Sequence, residues 1–138
     1  MTTSDAAPTS TRSIRVSAAV ILNDRDELLL VRKAGTTAFM QPGGKPEVGE
    51  SPDQTLSREL FEELGLSVEP GELRALGLFT AAAANEPGFL VVADVFVADI
   101  GDQEPVIAAE IEELRWVSRA EADGLEVAPL ARENFLPA

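Results

Sequence analysis

Apolar residues fall along this 138-residue chain in short runs separated by polar turns. Residues 12–23 (RSIRVSAAVILN) are rich in Val, Ile and Ala and predict a strand buried on both faces. Asn23-Asp24-Arg25-Asp26 reads as a turn, and residues 27–33 (ELLLVRK) as a second strand completing a hairpin. After a loop at 34–38, residues 39–45 (FMQPGGK) read as extended. Pro42 forbids a helix interior there, and Gly43-Gly44 permits unusual backbone angles or close approach to a ligand. Ser51-Pro52-Asp53-Gln54 combines a capping residue, a first-turn proline and a capping-box glutamine, and Gly65 supplies a stop. The helix between them spans 52–64, with Leu56, Leu60 and Leu64 as its apolar stripe. Residues 72–80 and 90–98 read as strands joined by a loop at 81–88, and 114–117 as a short strand with the single Trp. Ser118 to Glu121 repeats the capping box and starts a short helix, and 130–135 give one or two further helical turns. Strands, helix, strands, helix in that order predict a mixed α/β sandwich. Residues 1–12 read as a flexible tail and 13–138 as one domain.

The chemistry concentrates on the first helix. Glu59, Glu62 and Glu63 follow i, i+3, i+4 spacing, which places three carboxylates on one side. Glu59 and Glu63 lie beside the leucine stripe, where a side chain looks into a cleft, and Glu62 lies further round. Like charges this close repel unless a positive group sits among them. A hard divalent cation with oxygen ligands answers that need, and magnesium so held serves phosphate substrates. The residues therefore point to metal-assisted hydrolysis of a phosphoanhydride. The bland alternative is a solvated Glu-rich face with an Arg58–Glu62 ion pair worth only tenths of a kcal/mol.

Composition narrows the choice. There is no Cys, no His and no Tyr, so disulfides, thiolate catalysis and imidazole or phenol acid–base chemistry are excluded. Acid–base work falls to Asp, Glu, Lys or metal-bound water. A net charge of −13 argues against a nucleic-acid polymer as partner, though a cation can bridge an acidic site to a small anion. No apolar run is long enough to cross a membrane, and residues 1–13 lack the apolar core of a signal peptide, so a cytoplasmic protein is expected.

From Gly44 to Leu66 the chain resembles the Nudix box, G-x5-E-x7-R-E-U-x-E-E-x-G-U with U aliphatic, and no specified position departs from it. A chance match is on the order of 10⁻⁸ per window, which overturns the solvated-helix alternative. The resemblance implies an α/β/α sandwich around a mixed sheet. It also implies Mg2+, with Mn2+ as alternative, held by Gly44 through its carbonyl and by Glu59, Glu62, Glu63 and Glu50. Glu59 and Glu62 are then catalytic, and Arg58 orients a box glutamate. Glu110, six residues before Trp116, resembles the later glutamate that serves as general base in nucleoside-triphosphate-cleaving relatives, with Glu112 and Glu113 as rivals. Lys45 and Arg32, with Lys33, are candidate phosphate contacts. Phe39 with Met40 is a candidate apolar wall for a base, and Asn85 with Glu86 a candidate base-edge contact. Gln41 stands where relatives often carry a bulky apolar residue.

The implied substrate is a nucleotide small molecule. Ala81 stands where the ADP-ribose type carries Pro, and without any Tyr the chain lacks the marker of the dinucleoside-polyphosphate type. Those absences favour a (d)NTP pyrophosphohydrolase releasing NMP and pyrophosphate, over an ADP-ribose or nucleotide-sugar pyrophosphatase. A non-catalytic nucleotide sensor is the alternative of another class; such domains often lose the box glutamates that this chain keeps. Homodimers are common in the family.

Overall fold

Residues 12–137 are described in a computed structural model of the chain. Strand β1 (Arg12–Val20) has neighbours on both sides. It runs parallel to β5 (Phe89–Val97), in register from Arg12 opposite Phe89 to Val20 opposite Val97. On its other edge it pairs antiparallel with β3 (Gly43–Gly44), Ser17 facing Gly44 and Ala18 facing Gly43. β4 (Arg74–Ala82) joins β5 antiparallel, with a bulge between Ala75 and Gly77. The order β3-β1-β5-β4 is a mixed sheet. β2 (Leu28–Lys33) and β6 (Ile111–Val117) form a separate antiparallel pair.

Strand alternation divides the buried side chains between two cores. Ala18 and Val20 of β1 meet Leu28, Leu30, Phe39, Ala93 and Val95 on one side, roofed by Leu130 and Ala131 of the helix Pro129–Asn134. Ala19 and Ile21 meet Leu29, Val31 and Phe96 on the other, covered by helix α1 (Pro52–Leu64) through Leu56, Leu60 and Leu64. The result is the expected α/β/α layering around a mixed sheet. A short helix α2 (Arg119–Ala122) precedes the last one, α3 (Pro129–Asn134).

α1 has the bounds its capping signals predict. Gln54 accepts from the Ser51 N–H at 3.0 Å, and Asp53 takes the Gln54 N–H at 2.9 Å. Gly65 adopts φ 66° and donates to the Phe61 carbonyl, while Leu66 donates to that of Leu60, a Schellman ending. The Ser17 hydroxyl ties the start of the helix to β1 by donating to the Pro52 carbonyl at 2.8 Å.

Several expectations need correction. The predicted hairpin of the first two strands shrinks to a bridge between Leu22 and Leu28. Both edges of β1 are taken by β3 and β5, so β2 turns away to β6. β1 is buried on both faces only from Ser17 onward; its first residues are exposed or half-buried. β4 starts at Arg74, because a 3-10 turn at Pro70–Glu72 precedes it. β6 starts at Ile111, three residues early, since its outward Glu112 and Glu113 have partners on Arg32 of β2. The predicted tail lies outside the described residues apart from Arg12, which begins β1. Among the described residues no helix is long and apolar enough to cross a membrane.

The contact between β3 and β1 admits no side chain at Gly43. Its φ is 150°, and an added Cβ would lie 2.0 Å from the Ser17 carbonyl oxygen. Gly43→Ala should therefore destabilise the fold by about 2–4 kcal/mol. Gly71→Ala, with nothing within 4 Å of the new Cβ, should stay within about 0.5 kcal/mol of the parent. Urea midpoints at unchanged m would read both; equal midpoints for the two variants would refute the close-approach account.

Candidate active site

The site is built where α1 crosses β3. Short β3 presents bare backbone to the helix, and Glu59 and Glu63, one turn apart, press against it. The Gly43 N–H donates to Glu63 Oε1 at 3.3 Å. A Cβ on Gly44 would fall 2.2 Å from Glu59 Oε2, so glycine there leaves room for that carboxylate. Glu63 is only 3% exposed. Burial, then the neighbouring Glu59 charge, pushes its carboxyl up to about 7, partly offset by Lys33. Glu59 is raised by burial too, with Arg58 pulling the other way.

Arg58 gathers the remaining box acids. Its Nε meets Glu50 Oε2 at 2.7 Å and its Nη2 meets Glu50 Oε1 at 2.9 Å, a two-pronged pair. Nη1 reaches Glu62 at 3.0 Å and Glu59 at 3.3 Å, and Nη2 also donates to the Lys45 carbonyl at 3.0 Å. Glu50 further accepts from the Thr55 hydroxyl and the Glu47 N–H. The hydrogen bonds from Arg58, then that backbone N–H, hold Glu50 down at about 2. Glu50 Oε1 thus accepts three hydrogen bonds and Oε2 one, which makes Glu50 the anchor of Arg58. Glu62 has a side chain 49% exposed and turned to Arg58.

Across from Glu59 runs a cleft whose wall carries Lys33, Lys45, Met40, Asn85, Glu86 and Glu110. Lys33 pairs with Glu110 at 3.2 Å. Of the three late glutamates, only Glu110 lines this cleft. Glu112 and Glu113 instead hold Arg32, at 2.8 Å and 3.2 Å. Arg32 is consequently not a cleft residue; it also donates to the Thr36 carbonyl, and Lys33, its neighbour beyond a bulge, faces the cleft in its place. Phe39 is corrected likewise. Its ring is buried in the core beneath the Arg115 guanidinium, and Met40, the next residue, lines the cleft.

The cleft continues into an apolar cavity sharing Val16, Lys33, Met40, Gly44 and Val91 with it, and reaching Ala18, Gln41, Leu130 and Ala131. This cavity was missed in the sequence. Its walls come from β1, β5, the stretch before β3 and α3, and no local pattern links residues so far apart.

The donor set fits a hard divalent cation: carboxylates of Glu59, Glu62 and Glu63, the Gly44 backbone beside them, and no nitrogen or sulfur ligand. The buried, under-compensated Glu63 is the observation that most calls for a positive charge. Among the described residues no three acidic side chains converge tightly enough to ligate as they stand, because Arg58 draws Glu59 and Glu62 to itself.

A folded-state value above the unfolded one means the native protein binds more protons between about 4.5 and 7, so Glu63 weakens the metal-free fold as pH rises through that window. Glu63→Gln should thus stabilise the metal-free protein at pH 8 by roughly 1–3 kcal/mol and leave it unchanged near pH 4. Denaturant melts in chelator at the two pH values measure this, and a variant no more stable than the parent at pH 8 contradicts it.

The NUDIX domain family matches residues 12–138. The 8-oxo-dGTP diphosphatase of Escherichia coli (strain K12) is 33% identical over 60 residues, covering 41% of this chain and 46% of the relative. The Bacillus subtilis (strain 168) protein YvcI, an uncharacterized Nudix hydrolase, is 32% identical over 119 residues, 83% of this chain and 72% of its own. The crystal structure of a MutT protein from Methanosarcina mazei Go1 superposes with a TM-score of 0.70 at 26% identity, covering 89% of this chain and 90% of that one. The chain spans about half the length of the first curated relatives it matches, 46% and 47% for two of them.

Proposed function

The chain belongs to the Nudix family, and from that premise we propose that it hydrolyses a phosphoanhydride bond in a nucleoside-diphosphate-linked substrate. The substrate in this reading is a (d)NTP, cleaved to a nucleoside monophosphate and pyrophosphate. One observation carries it. An oxygen-only acidic face on α1 opens onto a cleft with lysines on its wall, and that cleft ends in an apolar cavity. Those three parts match the needs of a cation, a polyphosphate and a base. The name of the Escherichia coli relative, an 8-oxo-dGTP diphosphatase, supports a triphosphate substrate.

Glu59, Glu63 and the Gly44 carbonyl would hold Mg2+, or Mn2+, with Glu62 joining once released from Arg58. A bound divalent cation supplies charge neutralisation at the phosphate oxygens and a more acidic water. Lys33 and Lys45 bind phosphate oxygens from the cleft wall. Glu110, exposed at the rim beside Lys33, takes the proton of the attacking water. Asn85 contacts the nucleoside from the far wall, and Arg58 orients Glu59 and Glu62. The acidic surface disfavours nucleic-acid polymers.

Two experiments test this. The chain is assayed with and without Mg2+ against canonical and oxidised dNTPs, ADP-ribose, nucleotide sugars and dinucleoside polyphosphates. Mg2+-dependent release of NMP and pyrophosphate from a dNTP is the expected result. Cleavage of ADP-ribose alone would overturn the substrate class, and nucleotide binding without any product would leave a sensor. In the second, Glu110→Gln should lower kcat about a hundredfold with KM within about twofold. An unchanged kcat would return the base role to a box glutamate.

A further inference from the structure

A sheet leaves edges, and an edge strand offers unpaired N–H and C=O groups to any other strand. Among the described residues three of the four edges here are guarded. β3 is only two residues long. β6 carries Glu112, Glu113 and Arg115, and the free side of β2 is bridged by Leu22 and Met40. β4 has no such guard. It runs for nine residues without a proline and lies at the end of the order β3-β1-β5-β4. Its bulge between Ala75 and Gly77 disturbs only its start, and Leu78 to Ala82 stay in regular register with β5. Phe79 turns inward onto Phe135, whereas Leu76 and Leu78 are 39% and 57% exposed. α1 packs over β1 and β3, toward the other end of the sheet, and leaves the Leu78 face bare.

Charge singles out the same strand. The chain carries a net −13, so two copies repel over most of their surface. Between Arg74 and Glu86 there is no charged residue. We propose that β4 is a self-association surface, on which a second copy of this chain lays its own β4 antiparallel about a two-fold axis and joins the two sheets into one. Such an interface is self-complementary, because one patch supplies both halves. It sets the start of one strand beside the end of the other, so Arg74 of each copy approaches the loop that carries Glu86 in its partner. The backbone ladder supplies the affinity, and Leu78, at the middle of the strand, meets its own counterpart near the axis. The pairing needs nothing from the catalytic cleft.

The full chain is followed by sedimentation velocity and by amide hydrogen exchange across a range of concentrations. The mass should rise from one chain toward two, with a midpoint at about 1–100 μM. The amides of β4 should gain protection in step with it. Leu78→Lys sets two ammonium groups face to face near the axis and should raise the dissociation constant about tenfold or more. Thr80→Lys, at another exposed position of the strand, serves where the first variant does not fold. A monomer at every concentration, a dimer whose β4 amides exchange freely, or a dimer that survives the lysine in a folded variant would each overturn the inference.

Discussion

The approach of β3 to β1 is the constraint on which the site depends. Two glycines form the whole of β3. Gly43 must be bare because the Ser17 backbone stands where a Cβ would go, and no backbone can yield cheaply. Gly44 must be bare for a different reason: the intruding group is the Glu59 carboxylate, a flexible side-chain end. The first glycine is therefore a requirement of folding and the second a requirement of the site. Together they draw the start of α1 onto β1, where Ser17 fixes it through the Pro52 carbonyl. Glu59 reaches the cleft, and Glu63 its buried contact with the Gly43 N–H, as a consequence.

Electrostatics is the second constraint. Four box acids crowd around α1, and one guanidinium serves three of them. Glu50 and Glu63 mark the two extremes of that crowding. Glu50 has Arg58, Thr55 and a backbone N–H, and its ionised form is strongly favoured. Glu63 has a single long backbone hydrogen bond and a like charge nearby, and burial favours its neutral form. The same residue type, thirteen positions away on the same element's flank, thus takes opposite roles: Glu50 fixes Arg58, and Glu63 keeps an unanswered demand for positive charge. A site arranged so gathers carboxylates on one helix face at the expense of stability.

What the sequence disclosed followed from locality. α1 was legible to the residue because its stripe, its Ser51-Pro52 start and its Gly65 stop all act within a few positions. The box acids came with it. Where pairing partners lie far along the chain, the reading failed. β2 looked like the second arm of a hairpin until β6, some eighty residues on, supplied its partner, as Arg32 with Glu113 shows. The same distance hid the choice between Arg32 and Lys33. A bulge separates them, and only the position of Glu112 and Glu113 on β6 decides which of the two is free to face the cleft. Phe39 and Met40 present the same ambiguity one strand edge away: alternation says that they face opposite sides, but not which side is core.

An acidic protein that binds a polyanion has to separate its charges in space. Here the separation is by layer. The carboxylates ride on α1, while Lys33 and Lys45 come from the ends of strand segments across the cleft. Lys33 meets Glu110 and lies close enough to Glu59 and Glu63 to offset part of the rise that burial imposes on both. Among the described residues it is the one basic group that lines both the cleft and the apolar cavity. A phosphate entering the cleft would compete with Glu110 for Lys33, loosening Glu110 from its ion pair at the moment substrate arrives. Exposed pairs of this kind are worth about 1 kcal/mol or less, so the exchange costs little. In the proposed reading the same ammonium would hold Glu110 in place before binding and neutralise phosphate after it, leaving a carboxylate free at the rim for a water proton.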